Sequence, residues 1–207
     1  DPGTHPVTAD PREIEPARRA GNASVAEFPY YLERYGERSR LFGASDGGWL
    51  VAVCEYGADA LREQVLWLGR VLAARGMPRW LLERHLEILH AELVRAAPEH
   101  ADRYGALLDG AALLRGLRQA RIGEADFREL AAAFDARAEP ALADRLPGMG
   151  GILVAAVADE ADGLEGTVEK VAEWAADRAA FPESWTAAVR ATIAEARGRA
   201  RVETAAS

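Results

Sequence analysis

This sequence predicts an all-α fold. Two leucine stripes recur at helical spacing between residues 58 and 97, strand-like alternation is scarce, and proline and glycine fall at the ends of the periodic segments. The expected architecture is one compact domain of seven to nine helices over residues 24–207, built around an αα-hairpin at 58–97 and preceded by a flexible Pro-rich arm at 1–23.

The arm is read from Pro2, Pro6, Pro11 and Pro16 with few large apolar groups between them, too little burial to offset the entropy of ordering. Helix begins at Ser24, where Ser24-Val25-Ala26-Glu27 fits a capping box, and ends near Gly36, with Pro29 an awkward early interruption. Leu61, Val65, Leu68 and Leu72 then mark one face of a helix that Arg75 and Gly76 close. Pro78 opens the next, in which Leu82, Leu86, Leu89 and Leu93 repeat the same spacing. A third pattern runs from Pro98 to about Arg121 through Tyr104, Leu107, Leu108, Leu114 and Leu117. Phe127, Leu130 and Phe134 define a fourth before Pro140 and the 147–151 loop. Two amphipathic helices, at 168–174 and 182–201, complete the chain. Residues 49–54 and 152–157 are apolar on all sides and fit either buried strands or buried helices; helix is the better reading, because two lone strands make a poor sheet.

Charge and composition exclude several functions. A net charge of −8 and a pI near 5.1 leave no basic field for nucleic acid or an anionic membrane surface. One Lys beside 24 Arg, with 44 Ala, points to a GC-rich bacterium. The single cysteine, Cys54, rules out an internal disulfide and any multi-cysteine metal site, and with no basic-then-apolar leader the expected location is the cytoplasm. Asp1 in place of an initiator Met points to a processed or trimmed product. Uncharged apolar stretches such as 49–54 are far short of the roughly 20 residues a membrane span needs.

Few constellations carry chemistry. Gly43-Ala44-Ser45-Asp46-Gly47 matches the G-x-S-x-G nucleophile elbow, but the preceding residues are charged rather than strand-like, so Ser45 or Asp46 is expected to cap a helix starting near Trp49. Pro147-Gly148-Met149-Gly150-Gly151 lacks the Lys-Ser/Thr of a P-loop and reads as an interhelical loop with close backbone approach. His85 and His90 lie about 140° apart on one helix and cannot share a metal. Glu87 and His90, about 60° apart, reproduce the Glu-x-x-His spacing of di-iron bundles, but in one copy only. A haem protein, with His85 or His90 axial and Trp67, Trp80 and Tyr104 lining the pocket, is compatible with the composition. The only basic-aromatic neighbourhood sets Arg34, Arg38 and Arg40 beside Tyr30, Tyr31 and Tyr35.

The stretch 71–93, a helix ending Ala-Ala-Arg-Gly-Met-Pro followed by Leu-Leu-Glu-Arg-His-Leu-Glu, resembles helical modules beside bacterial sensor domains, including the helical caps of cobalamin-binding regulators. It covers about a tenth of the chain, and the Asp-x-His-x-x-Gly motif that holds cobalamin in that family is missing, so no ligand follows from it.

The function expected from these observations is a non-enzymatic regulatory, sensor or interaction domain with a protein partner, its contact surface at Tyr31, Arg34, Arg38, Arg40 and Trp49. The alternative is a haem- or iron-containing helical protein, an oxidase for example, using His85 or the pair Glu87 and His90. A leucine stripe left exposed would point to a homodimer.

Overall fold

The computed structural model describes residues 7–201, except for the side chains of residues 40–42 and 44. Among the described residues the fold is all-α, with eleven α-helices and no strand. They are α1 (Pro11–Glu27), α2 (Tyr30–Tyr35), α3 (Arg38–Val53), α4 (Ala58–Ala73), α5 (Arg79–Ala96) and α6 (Ala101–Arg121), then α7 (Glu124–Arg137), α8 (Pro140–Arg145), α9 (Met149–Ala161), α10 (Thr167–Ala175) and α11 (Glu183–Arg199). The number exceeds the seven to nine expected partly because α2 and α8 have only 6 residues each, too few turns to leave a periodic signal. The contacts group the chain into two units, Asp1–Leu68 with Leu82–Leu114 and Gly69–Leu81 with Arg115–Ser207, so α4, α5 and α6 contribute to both.

In the first unit, α1 occupies residues 11–23 of the stretch read as a flexible arm; residues 1–6 lie outside the described ones. Pro11 sits at the first helical position, where a missing N–H costs nothing, and the Asp10 carboxylate caps the helix by accepting from Arg12 N at 2.8 Å. Pro16 is interior but buried, and α1 packs along α3 through small residues. A Cβ added to Gly43 would lie 3.3 Å from Gly21 Cα, and one on Gly47 3.5 Å from Ala17 Cβ. Sequence periodicity misses this helix because its buried residues are mostly small or polar, Ala17, Ala20, Gly21 and Ser24 among them, with Val25 the one large aliphatic.

Two further expectations change. Ser24 lies in the last turn of α1, where its hydroxyl donates back to Ala20 O at 3.0 Å, so Ser24-Val25-Ala26-Glu27 does not start a helix. Ser45 and Asp46 lie in the interior of α3, which starts at Arg38, and cap nothing. Gly43-x-Ser45-x-Gly47 is therefore regular helix, without the strained turn a nucleophile elbow requires.

Residues 49–53 close α3 as buried helix, continued by a 3₁₀ turn, Cys54–Tyr56. The hairpin helices α4 and α5 form as the stripes predict. Gly76, at φ 84°, ends α4 in a Schellman arrangement, with Met77 N on Leu72 O and Gly76 N on Ala73 O, both at 2.9 Å or less. In the first unit Leu61, Val65, Leu86, Leu89 and Leu93 are fully buried. Gly110 of α6 meets Val65 and Leu86, so its missing side chain lets α6 close over the stripes.

The second unit is built on α9, in which every residue from Met149 to Asp159 is buried. The 147–151 loop is shorter than expected: Gly148, at φ 78°, caps the helix, while Gly150 and Gly151 already belong to it. A Cβ on Gly150 would lie 2.6 Å from Ala131 O, so α7 and α9 touch backbone to backbone there. Phe134 packs edge-on against Trp185 of α11, with centroids 5.0 Å apart, and α10 lies against α9 and α11. No helix among the described residues is long and apolar enough to cross a membrane.

Candidate functional site

The basic-aromatic neighbourhood is a structured corner at α2 and the start of α3. Gly36, at φ 64°, turns the chain between the two helices. Tyr30, on the first turn of α2, is buried, and Tyr35 meets it edge-on at 6.0 Å. The Arg34 guanidinium lies 5.6 Å from the Tyr30 ring and 5.1 Å from the Tyr35 ring, and it donates to the Tyr30 hydroxyl. Contact with two aromatic rings and the hydrogen bond to Tyr30 help to hold a half-buried cation in place. Burial pushes the Tyr30, Tyr31 and Tyr35 phenols upward, so all three stay neutral donors.

Arg38, the first residue of α3, is exposed with no ion pair among the described residues, and Tyr31 is half-buried. The Arg40 side chain lies outside the described residues. Trp49 does not belong to this surface: it is only 5% exposed and packs edge-on against Trp67, with centroids 6.1 Å apart. Burial makes it core rather than contact surface.

His85 has a different setting. It is 7% exposed, and its Nδ1 lies 2.9 Å from Ser24 Oγ. The serine hydroxyl lies within reach of both Ala20 O and His85 Nδ1, and His85 Nε2 is a buried nitrogen without a hydrogen-bond partner among the described residues. Nε2 looks onto Gly47, whose added Cβ would stand 3.5 Å away. Burial alone pushes the His85 pKa down to about 4. The Ser24–His85 contact has the composition of a nucleophile–base pair, but the serine sits in the regular last turn of α1 and no carboxylate orients the ring through Nε2.

Glu87 pairs with Arg84, and His90 is half-buried with its pKa lowered by burial. Among the described residues no three His, Cys, Asp or Glu side chains come together as a metal site, so Glu87 and His90 have no further ligands. The rings suggested as haem lining are otherwise engaged: Trp67 on Trp49, Trp80 on Phe127 at 5.2 Å, and Tyr104 through its hydroxyl to Glu13 at 2.7 Å.

Two polar clusters escape sequence reasoning. In the first unit Glu13, 3% exposed, accepts from Thr8, Tyr104 and Arg103, tying the first turn of α1 to α6. In the second, Arg79 donates to Asp159 from its backbone N and its Nε and to Asp162 from Nη2, each at 2.8 Å, and Arg121 binds Asp162 at 2.8 Å. Neither has a sequence signature, because most of the partners lie 41 to 91 positions apart and meet only after folding. Both join separate helices and read as structural fastening, although Arg103 Nε in the first is buried without a hydrogen-bond partner among the described residues.

The second unit also carries an open groove of about 570 Å³ between α10 and α11, with Val168 and Ile193 at its floor and Glu160, Glu169, Arg190 and Arg197 around it. Comparison of the chain with protein-family models, curated proteins and solved structures finds no match.

Proposed function

We propose that this protein acts by interaction, as a regulatory or adaptor module whose α2–α3 corner docks a protein partner through that partner's acidic side chains. The observation that carries the reading is the Arg34 guanidinium packed against the edge-on pair of Tyr30 and Tyr35 rings, with exposed Arg38 close by in sequence. A pre-positioned guanidinium loses little freedom on meeting a carboxylate and binds it through two parallel hydrogen bonds. In a chain of net charge −8, such a spot gives local attraction for an acidic segment against a repulsive background, and so favours orientation over indiscriminate association. The Ser24–His85 contact and the two polar clusters supply no reacting geometry that competes with this reading.

The test is to identify a partner by affinity capture, purify it, and titrate it calorimetrically against wild type, Arg38→Glu and the double variant Arg34→Ala/Arg38→Ala. Arg38 is exposed, so Arg38→Glu should fold normally and bind at least about tenfold more weakly, with the double variant weaker still. Unchanged affinity in both variants would overturn the reading. A Soret band or one iron per chain in protein purified from a related host would replace it with the cofactor alternative.

A further inference from the structure

We propose that the groove between α10 and α11 docks a second copy of this chain, about a two-fold axis that sets Glu169 of each copy against Arg190 of the other. This goes beyond the corner surface and uses none of its residues. Arg197 is bonded to Glu160 at 2.7 Å, so that pair is already neutral. Glu169 on the α10 wall and Arg190 on the α11 wall are exposed and make no ion pair among the described residues. Val168, Ala172, Ile193 and Ala194 supply the apolar surface between them.

The charge pattern selects the occupant. An acidic partner would satisfy Arg190 and be repelled by Glu169; a basic one would do the reverse. The groove needs a ligand presenting one charge of each sign in opposite order, which a second copy does by symmetry, because in a two-fold interface each contact occurs twice with the roles exchanged. Both side chains are long, and the small residues Ala172 and Ala194 line the groove with them.

Charge reversal tests this directly. In sedimentation and light-scattering measurements across micromolar loading, wild type should show a concentration-dependent dimer. Glu169→Arg and Arg190→Glu should each weaken it by about tenfold or more, because both reciprocal contacts become like-charged. Mixing the two single variants should restore dimerisation as a heterodimer, since one copy then carries only Arg and the other only Glu at these positions. The double variant Glu169→Arg/Arg190→Glu should restore the homodimer. Recovery in the mixture excludes misfolding as the cause of the single-variant loss. A wild type that stays monomeric throughout the range, or a dimer indifferent to the single reversals, overturns the proposal.

Discussion

Lowering the pH should weaken the first unit through His85. The unfolded imidazole titrates near its ordinary value of about 6.5, whereas in the folded chain burial pushes it down to about 4. The folded pKa is the lower one, so the unfolded state binds the proton first. Stability is therefore full above the unfolded pKa and is lost as pH falls from about 6.5 towards 4. At 1.36 kcal/mol per unit the whole shift corresponds to about 3 kcal/mol, of which about 2 kcal/mol disappears between pH 7 and pH 5.

The carboxylates held low by arginine partners, Glu92 and Glu124, lose their contributions at more acid pH, near the ordinary carboxylate range. Half-buried His90 adds a smaller contribution of the same sign, whereas Asp135 and Asp159, pushed up by burial, act with the opposite sign, so a variant at His85 is needed to separate the histidine part. Urea unfolding followed by far-ultraviolet circular dichroism, on wild type and His85→Leu, isolates the effect. The leucine variant should lack about 2 kcal/mol of the acid-induced loss, and the His85 ring protons should titrate far below those of an exposed histidine by NMR. Parallel loss in both proteins between pH 7 and 5 would refute the assignment of a buried, neutral imidazole.

Other perturbations follow from the packing. Gly150→Ala, which drives a Cβ to 2.6 Å from Ala131 O, should destabilise the protein by several kcal/mol in denaturant titration, on the order of other overpacked cores. Gly116→Ala, inside α6 with nothing within 4 Å, should stabilise by about 0.5–1 kcal/mol in the same assay. Asp159→Ala leaves the buried Arg79 cation with Asp162 alone and should cost about 3–5 kcal/mol, whereas Arg18→Ala, which removes an exposed pair with Glu15, should change the unfolding midpoint hardly at all. Loss of the Tyr104 hydroxyl in Tyr104→Phe removes one of three donors to buried Glu13 and should cost about 1–3 kcal/mol, measured against wild type at neutral pH.

The sequence by itself determined the helices whose buried face is large and periodic. Leu61, Val65, Leu68 and Leu72, then Leu82, Leu86, Leu89 and Leu93, placed α4 and α5, and Phe127, Leu130 and Phe134 placed α7, because a 3.6-residue repeat of bulky apolar groups has few other solutions. The wholly apolar runs at 49–54 and 152–157 were legible as buried, and helix followed from the absence of any sheet to join. Part of the corner surface was legible too, since Tyr31, Arg34 and Arg38 are local in sequence.

Only the tertiary structure decided the rest. Helix α1 packs through alanine, glycine and serine, whose small side chains carry little hydrophobic signal and gain their energy from the close approach of α3. Trp49 was assigned to the surface because composition cannot distinguish an exposed aromatic from one facing Trp67. The settings of His85, Glu13 and Arg79 rest on partners 61, 91 and 80 positions away, and no local pattern encodes contacts of that range. The groove likewise exists only where two helices from different parts of the chain leave Glu169 and Arg190 on facing walls. Helical periodicity is a property of neighbours along the chain, whereas burial, charge pairing and shape are properties of neighbours in space.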